Sequence, residues 1–174
     1  MKTVSAAKLK GDKNRRTASI AFNTWTHQLS GEPKLCDGAD YEDLPQRVLI
    51  LPCTSDKGLC GGINSFISRN TKLCVAKLNA QGKECDIAVI GDKGRGQIRR
   101  THAENVSLSM TEVLSPGNFT LSGTLASDLI ANGAGDYDAI VIMYNSYRNA
   151  ATYDQYYKVV SSFSGEGGVE PMLA

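Results

Sequence analysis

An apolar run that ends in a glycine-rich turn, within residues 47–64, is the feature of this chain that narrows the possible folds furthest. Val48–Leu51 have the pattern of a buried strand, and glycines follow at 58, 61 and 62. A strand that leads through such a turn into a helix is the arrangement that binds phosphate in nucleotide-binding domains. Neither the dinucleotide fingerprint G-x-G-x-x-G nor the triphosphate loop G-x-x-x-x-G-K-S/T is present, since no Lys-Ser or Lys-Thr pair follows these glycines. The turn therefore has the build of a nucleotide site without its phosphate chemistry.

The composition indicates one ordinary domain with an appendage. The 174 residues are 41% hydrophobic and 21% charged, and the net charge of +1 does not favour a nucleic-acid partner. The longest apolar runs have the length of strands, well short of the ~20 residues of a membrane-spanning helix. The cysteines are odd in number and form no Cys-x-x-Cys pair, so we expect buried thiols in a reducing compartment, with neither a disulfide framework nor a zinc site. They are Cys36, Cys53, Cys60, Cys74 and Cys85.

Charge divides the chain into segments. Residues 1–30 contain six Lys or Arg against one Asp, and residues 31–46 contain five acids against one Lys. We predict an N-terminal helix over 1–30, an acidic linker over 31–46, an α/β domain over 47–163 and a flexible Gly-rich tail over 164–174.

The N-terminal segment has the spacing of a coiled-coil helix. Small residues recur every third and fourth position, which lets two helices approach closely. No later segment offers a helix of matching length, so we expect its antiparallel partner helix to lie outside these 174 residues. Two alternatives are an amphipathic helix packed on its own domain and a mitochondrial transit peptide. The register is Val4, Ala7, Gly11, Asn14, Ala18, Ala21, Trp25 and Gln28.

Strand and helix patterns alternate after residue 46, which predicts a small, doubly wound, mostly parallel sheet of the Rossmann-like type. We expect Asn118 to cap the third helix of this domain. The predicted strands are Arg47–Cys53, Cys85–Ile90, Val106–Met110 and Tyr137–Tyr144, and the predicted helices are Gly62–Ala80, Asp92–Arg100 and Asn118–Ala131.

Candidate chemistry is sparse. Cys60 at a helix start could be a nucleophile, but nothing in the sequence places His27 or His102 beside it. The cluster at 91–96 could bind phosphate through its cations, although a plain βα turn is the favoured interpretation. Acids are scattered singly, so we predict no catalytic, cofactor-binding or metal-binding residues.

Tyrosines crowd the end of the domain. They could anchor an interface or be ordinary strand and loop residues, and the sequence leaves both open. They are Tyr144, Tyr147, Tyr153, Tyr156 and Tyr157.

Four segments together carry a family resemblance. They are Met1–Leu9, the string Thr54-Ser55-Asp56-Lys57-Gly58-Leu59-Cys60-Gly61-Gly62-Ile63-Asn64, Gly91-Asp92-Lys93 with Arg100-Thr101-His102, and Tyr144-Asn145-Ser146-Tyr147-Arg148. In order and spacing this sequence resembles the gamma subunit of rotary F-type ATP synthases, mitochondrial members most, from residue 1 to about 160. By this resemblance we expect the family's C-terminal helix and the start of its N-terminal helix to lie outside these 174 residues. Either the sequence is a piece of a longer chain, or a separate polypeptide supplies the missing helix.

The resemblance implies a function. In that family the subunit is the central shaft, non-catalytic itself, which transmits torque from the membrane ring to the catalytic hexamer of alpha and beta subunits. The delta and epsilon subunits lie alongside, and the complex is bound to the matrix side of the mitochondrial inner membrane. The resemblance implies no cofactor and no metal.

The same resemblance suggests partner contacts from the basic helix, the glycine-rich turn and the tyrosine-rich end of the domain. The candidates are Lys8, Lys10, Lys57, Cys60, Tyr147 and Arg148. Two rival functions are an autonomous nucleotide-binding α/β domain, which would need a loop competent to bind phosphate, and a coiled-coil adaptor, which would have no use for the glycine-rich turn.

Overall fold

A computed structural model describes residues 2–58, 60–113, 117–149 and 152–161. The chain divides into two compact units, Met1–Glu32 and Pro33–Ala174. The predicted flexible tail at 164–174 lies outside the described residues.

The first unit is one helix, α1 (Lys2–Ser30), as the small-residue spacing predicts. Its 29 residues would extend over about 43 Å. The side chains described between Leu9 and Thr24 are exposed apart from the half-buried Gly11. Local contacts such as the Asp12–Arg15 ion pair support the helix along its surface. Helices without a buried face are marginal in water, which is why we expect α1 to pair with a second helix. That pairing stays a prediction.

The second unit is built on a six-stranded sheet. The strand order is β1-β6-β5-β2-β3-β4, in which β5, β2, β3 and β4 are parallel while β6 and β1 are antiparallel to their neighbours. The strands are β1 (Lys34–Leu35), β2 (Arg47–Pro52), β3 (Glu84–Ile90), β4 (Val106–Met110), β5 (Ala139–Tyr147) and β6 (Tyr153–Ser161). The helices are α2 (Ile63–Ala80), α3 (Asp92–Ile98), α4 (Phe119–Ala131) and a short 3-10 helix (Ala134–Asp136).

Helices cover both faces of this sheet. Alternate residues of β2 point into two separate cores: Val48 and Ile50 pack in one cluster, and Leu49 and Leu51 in the other. The first cluster includes buried residues of α2 and α3, and the second includes Leu129 of α4. Because β3 and β5 lie on opposite sides of β2, the strand order reverses between β2 and β5. The predicted doubly wound α/β fold is confirmed.

The elements predicted from residue 47 to 144 are found within a few residues of their expected bounds. Asn118 caps α4 as predicted, since its side-chain oxygen accepts a hydrogen bond from the Leu121 backbone N–H. Strand β5 begins two residues later than predicted and runs on to Tyr147.

Strand β6 was not predicted, and it resolves part of the tyrosine question. It pairs antiparallel with β5 along its whole length. Tyr156 stacks on Tyr144 with ring centroids 6.4 Å apart, and Tyr157 packs against Tyr41 at 5.1 Å. These tyrosines are therefore strand residues that hold the hairpin and the core, as one of the two open interpretations states.

The segment 33–46 differs from the predicted linker. Cys36, Tyr41 and Leu44 are buried in the core, and β1 adds to the sheet edge. The Lys77 Nζ donates to the Ala39 carbonyl at 2.6 Å and contacts the Asp40 carboxylate at 2.8 Å. The Asp40 carboxylate is therefore met by a lysine of α2, and the segment packs on the domain.

We predict that Leu78→Ala destabilises the chain by about 2–5 kcal/mol, because Leu78 is fully buried on the inner face of α2. The matched control is Leu73→Ala on the same helix, where Leu73 is 48% exposed. Urea unfolding of the full chain followed by circular dichroism measures both. Equal losses in the two variants would contradict the assignment of the inner face.

Candidate functional site

The carboxyl edge of the parallel strands is the place where doubly wound domains bind ligands, at the point where the strand order reverses. Here that edge is formed by the segments that follow β2, β3, β4 and β5. It contains the glycine-rich turn 54–64 and the cluster 91–96, the two segments considered for phosphate binding.

Thr54 fills the space between β2 and α3. Its hydroxyl donates to the Ile90 carbonyl at 2.6 Å and accepts from the Gly94 N–H at 3.1 Å. A Cβ added at Gly91 or Gly94 would lie 2.6 or 2.3 Å from atoms of Thr54. Gly91 also has a φ of +97°, a conformation that other residues rarely adopt. These glycines therefore make room for Thr54 and not for a ligand.

The N–H groups at the start of α3 already have acceptors. Asp56 Oδ1 accepts from the Asp92 N–H at 2.9 Å, and the Ser55 carbonyl accepts from the Lys93 N–H at 3.1 Å. With Thr54 on Gly94, three successive donors are satisfied by one turn. Such donors are the ones that bind phosphate at a helix start. The plain βα turn predicted for 91–96 agrees with this geometry.

Asp56 also reaches a third loop. Its Oδ2 accepts from the Val113 N–H at 2.8 Å, so one carboxylate joins the segments that follow β2, β3 and β4. Thr54 and Asp56 were missed as structural residues by the sequence analysis. Their position directly after a buried strand indicated that they lie at the carboxyl edge of the sheet. Their hydrogen-bond partners could not be predicted, because those partners come from distant segments.

Asn64 holds the other half of the turn. It is buried, its side-chain oxygen accepts from the Ser55 N–H at 2.9 Å, and its NH₂ donates to the Ser55 hydroxyl at 2.9 Å. The same NH₂ lies 3.2 Å from the Cys60 sulfur. In the described part of the turn, Asn64 thus joins the segment after β2 to the start of α2 through hydrogen bonds within the turn.

The cations of the 91–96 cluster are paired inside the protein. The Arg95 guanidinium donates to Asp92 at 2.7 Å, and the Lys93 ammonium lies 3.6 Å from the same carboxylate. The hydrogen bond from Arg95 lowers the pKa of Asp92 below its usual value. Both cations that might have met a phosphate already face a carboxylate.

Burial raises the pKa of four of the thiols, which opposes their activation as nucleophiles. Burial raises the pKa of Cys53 and of Cys85 to about 11 and that of Cys36 to about 12, and burial also raises the pKa of Cys74. The five cysteines are free; Cys36, Cys74 and Cys85 are buried as expected, whereas Cys53 and Cys60 are half-buried. In the described residues no group of His, Cys, Asp and Glu side chains is arranged to hold a metal ion.

Cys60 does not form a nucleophile–histidine pair in the contacts described. Its sulfur lies 3.7 Å from the Lys57 carbonyl, and the His102 Nδ1 shares a 2.8 Å hydrogen bond with the Thr101 hydroxyl. His27 belongs to the first unit.

Four of the six partner-contact candidates lie at one edge of the second unit. Lys57 and Cys60 are in the glycine-rich turn, Tyr147 is the last residue of the neighbouring strand β5, and Arg148 follows it. The Asn145 side chain links the two segments through a 3.2 Å hydrogen bond to the Ile63 carbonyl. Arg148 forms an ion pair with Asp154 at 2.5 Å. Lys10 is exposed on α1, and the side chain of Lys8 lies outside the described atoms.

The fold and this edge together define a class: a doubly wound α/β domain, attached to a long helix, whose ligand crevice is filled by its own side chains. A profile described as ATP synthase matches residues 1–169. The chain therefore belongs to the ATP synthase gamma-subunit family, as its relatives show.

Two curated relatives are mitochondrial gamma subunits of ATP synthase. The one from Pichia angusta is 38% identical over 119 residues, which is 68% of this chain and 42% of the relative. The one from Rattus norvegicus is 29% identical over 173 residues, 99% of this chain and 62% of the relative. The chain thus spans about half the length of the curated relatives it matches.

This chain is also similar to a chain of a solved structure. It is the mitochondrial ATP synthase of Tetrahymena thermophila, central stalk and c-ring, with a TM-score of 0.72 and 26% identity. The match covers 92% of this chain and 70% of that one. The family expected from the sequence motifs is confirmed.

We predict opposite effects for two glycines of α3. Gly94→Ala destabilises the chain by about 1–3 kcal/mol, because its methyl group would overlap the bonded Thr54 side chain. Gly96→Ala meets open space and stabilises by about 0.5–1 kcal/mol through the helix propensity of alanine. Urea unfolding of the two variants gives both values, and a neutral Gly94→Ala would contradict the filled crevice.

We also predict that stability falls as the pH rises from about 9 toward 11. A thiol with a pKa near 8.5 when unfolded stays protonated in the fold, where burial raises the pKa of Cys85 to about 11. Over that window the unfolded state releases the proton first, so each such thiol lowers stability by about 1.4 kcal/mol per pH unit. Cys85→Ala should make the slope shallower, while Val89→Ala on the same strand weakens the fold and leaves the slope unchanged. An unchanged slope in Cys85→Ala would overturn this account.

Proposed function

We propose that this chain is a central-stalk subunit of the proton-translocating ATP synthase, which transmits torque from the membrane ring to the catalytic alpha/beta hexamer. The observation that carries the proposal is the likeness of 92% of the chain to the central-stalk structure from Tetrahymena thermophila. The long helix α1 would form the shaft by pairing with a second helix in an antiparallel coiled coil, and the α/β domain would form its base.

The subunit itself carries out no chemistry in this proposal. The filled carboxyl edge supports that role, because Thr54 and Asp56 occupy the place and the donors that a nucleotide would need. A torque-transmitting part would benefit from such closure, because a nucleotide could not open and close this edge of the domain. The coiled-coil adaptor accounts less well for the chain, because the family match includes the whole α/β domain.

The partners in this proposal are the alpha and beta subunits, the delta and epsilon subunits and the c-ring. Location on the matrix side of the mitochondrial inner membrane is supported by the relatives from Pichia angusta and Rattus norvegicus, which are mitochondrial by name. No helix in the described part of the chain combines the length and the hydropathy of a bilayer span. The contact residues we propose are Lys8, Lys10, Lys57, Cys60, Tyr147 and Arg148.

Purification from the cells that make the chain tests the assembly. The chain, tagged and extracted in mild detergent, should bring down the alpha and beta subunits, identified by mass spectrometry. A tagged matrix protein of similar size serves as the control for non-specific recovery. A chain that runs as a free monomer, without alpha and beta, would contradict the proposal.

Nucleotide titration tests the rival function. The isolated full chain should show no saturable binding of labelled ATP or NAD, because the N–H donors at the start of α3 are occupied. Saturable binding that Gly94→Ala abolishes would instead favour an autonomous nucleotide-binding domain.

A further inference from the structure

The two helical layers of the α/β domain carry opposite charge. Residues 57–102, which contain α2 and α3, have nine Lys or Arg against three acids. Residues 103–146, which contain α4, have five acids and no Lys or Arg. Since α2 and α3 pack in one core cluster and α4 in the other, the cations lie on one face of the sheet and the carboxylates predominate on the other.

Four cations concentrate where α2 and α3 lie side by side. Both helices follow parallel strands and so run in the same direction, and the Gln97 side-chain NH₂ lies 3.4 Å from the Ser65 hydroxyl across the pair. The basic face that results consists of Arg69, Lys72, Arg99 and Arg100. Arg69, Arg99 and Arg100 are exposed and Lys72 is half-exposed.

These four cations differ from their neighbours in having no partner. Within the described part of the chain none of them forms an ion pair, whereas Lys77, Lys93 and Arg95 each meet a carboxylate. Helix α2 has no acidic residue, and Glu104 follows α3 in an exposed turn. The four cations of the basic face are therefore available to pair with anionic groups outside these residues.

A groove runs along the other side of α2. Its volume is about 420 Å³, and its lining includes Leu35, Phe66 and Leu73, each between 44% and 50% exposed. Arg69 lines the groove as well as the basic face, and Asp37 lies on the groove's wall. A groove with three exposed apolar side chains and a mixed polar lining, which includes Lys77 and Asp154, thus adjoins unpaired cations on one helix.

We propose that α2 docks an acidic protein segment, whose carboxylates meet the basic face and whose apolar side chains enter the groove. Three of the four cations are arginines, which bind carboxylates with two parallel hydrogen bonds. A nucleic acid fits less well, because it offers no apolar side chain to the exposed Leu35, Phe66 and Leu73 of the groove. The inference rests on the proposed function in that the partner is sought in the assembled synthase.

Photo-crosslinking in the assembled complex identifies the occupant. The photoreactive residue p-benzoylphenylalanine replaces Leu73 in the groove, and in a second variant it replaces the exposed Phe119 on α4 as the matched control. After irradiation in intact cells, we expect the groove variant to give an adduct with a peptide that contains at least two Asp or Glu, and the control to give no adduct with that peptide. A lipid or nucleic-acid adduct, an adduct with a peptide that lacks acids, or no adduct would overturn the proposal.

Charge reversal then tests the basic face. Arg69→Glu with Arg99→Glu should lower the yield of that adduct about tenfold or more, since each close charge pair across an interface contributes substantially. Lys34→Glu with Arg47→Glu changes the net charge equally at other exposed positions of the domain and should leave the yield unchanged. Acid-to-lysine changes in the identified peptide should restore the lost adduct. Equal yields in the two double variants, or no restoration, would count against the proposal.

Recovery of the alpha and beta subunits separates the two possible failures. If wild-type chain recovers neither, the proposed function fails. If wild-type chain recovers both while the groove gives no acidic adduct, only the docking inference fails.

Discussion

The Asp56 carboxylate is the contact on which the carboxyl edge of the sheet depends. Its two oxygens accept backbone N–H groups at the start of α3 and in the loop after β4, at 2.9 and 2.8 Å. Charged acceptors form the stronger hydrogen bonds in proteins, and each buried N–H left without an acceptor costs about 1–3 kcal/mol. Because Thr54 completes the same cap on Gly94, three loops that could open around a ligand are joined to one another.

This closure distinguishes the domain from doubly wound domains that bind a ligand at the carboxyl edge of the sheet. Doubly wound domains usually keep the switch point open, and loop glycines there bring backbone close to phosphate. In this chain the glycines at 91 and 94 bring backbone close to a threonine. In the function proposed above, the base of a rotating shaft would need a shape that does not change with nucleotide concentration. The satisfied N–H groups at the start of α3 would supply that property. The same turn and the end of β5 place most of the proposed contact residues at one edge.

Charge organises the rest of the domain. Two lysines hold the acidic segment 33–46 against the domain. Lys77 of α2 donates to the Ala39 carbonyl and to the Asp40 carboxylate. Lys83, just after α2, donates to the Glu42 carbonyl at 2.7 Å. The cations of α2 that are left over, together with those of α3, form the basic face. Helix α2 thus packs on the core with its inner side and on the 33–46 segment with one flank. The proposed acidic partner would contact its outer side, from the groove beside that segment to the basic face.

The sequence by itself determined the local elements and the family. Apolar periodicity, glycine positions and the Asn118 cap are short-range signals, so the strands and helices from 47 to 131 could be predicted, as could α1. Tertiary structure alone decided that 33–46 is part of the core, that β6 completes the sheet and that the crevice is filled. The physical reason is sequence distance: Asp56 bonds residues 36 and 57 positions away, and those partners meet only because the strand order brings their loops to one edge. The glycine cluster 91–96 would look the same in sequence whether a phosphate or, as here, the Thr54 side chain filled the space beside it.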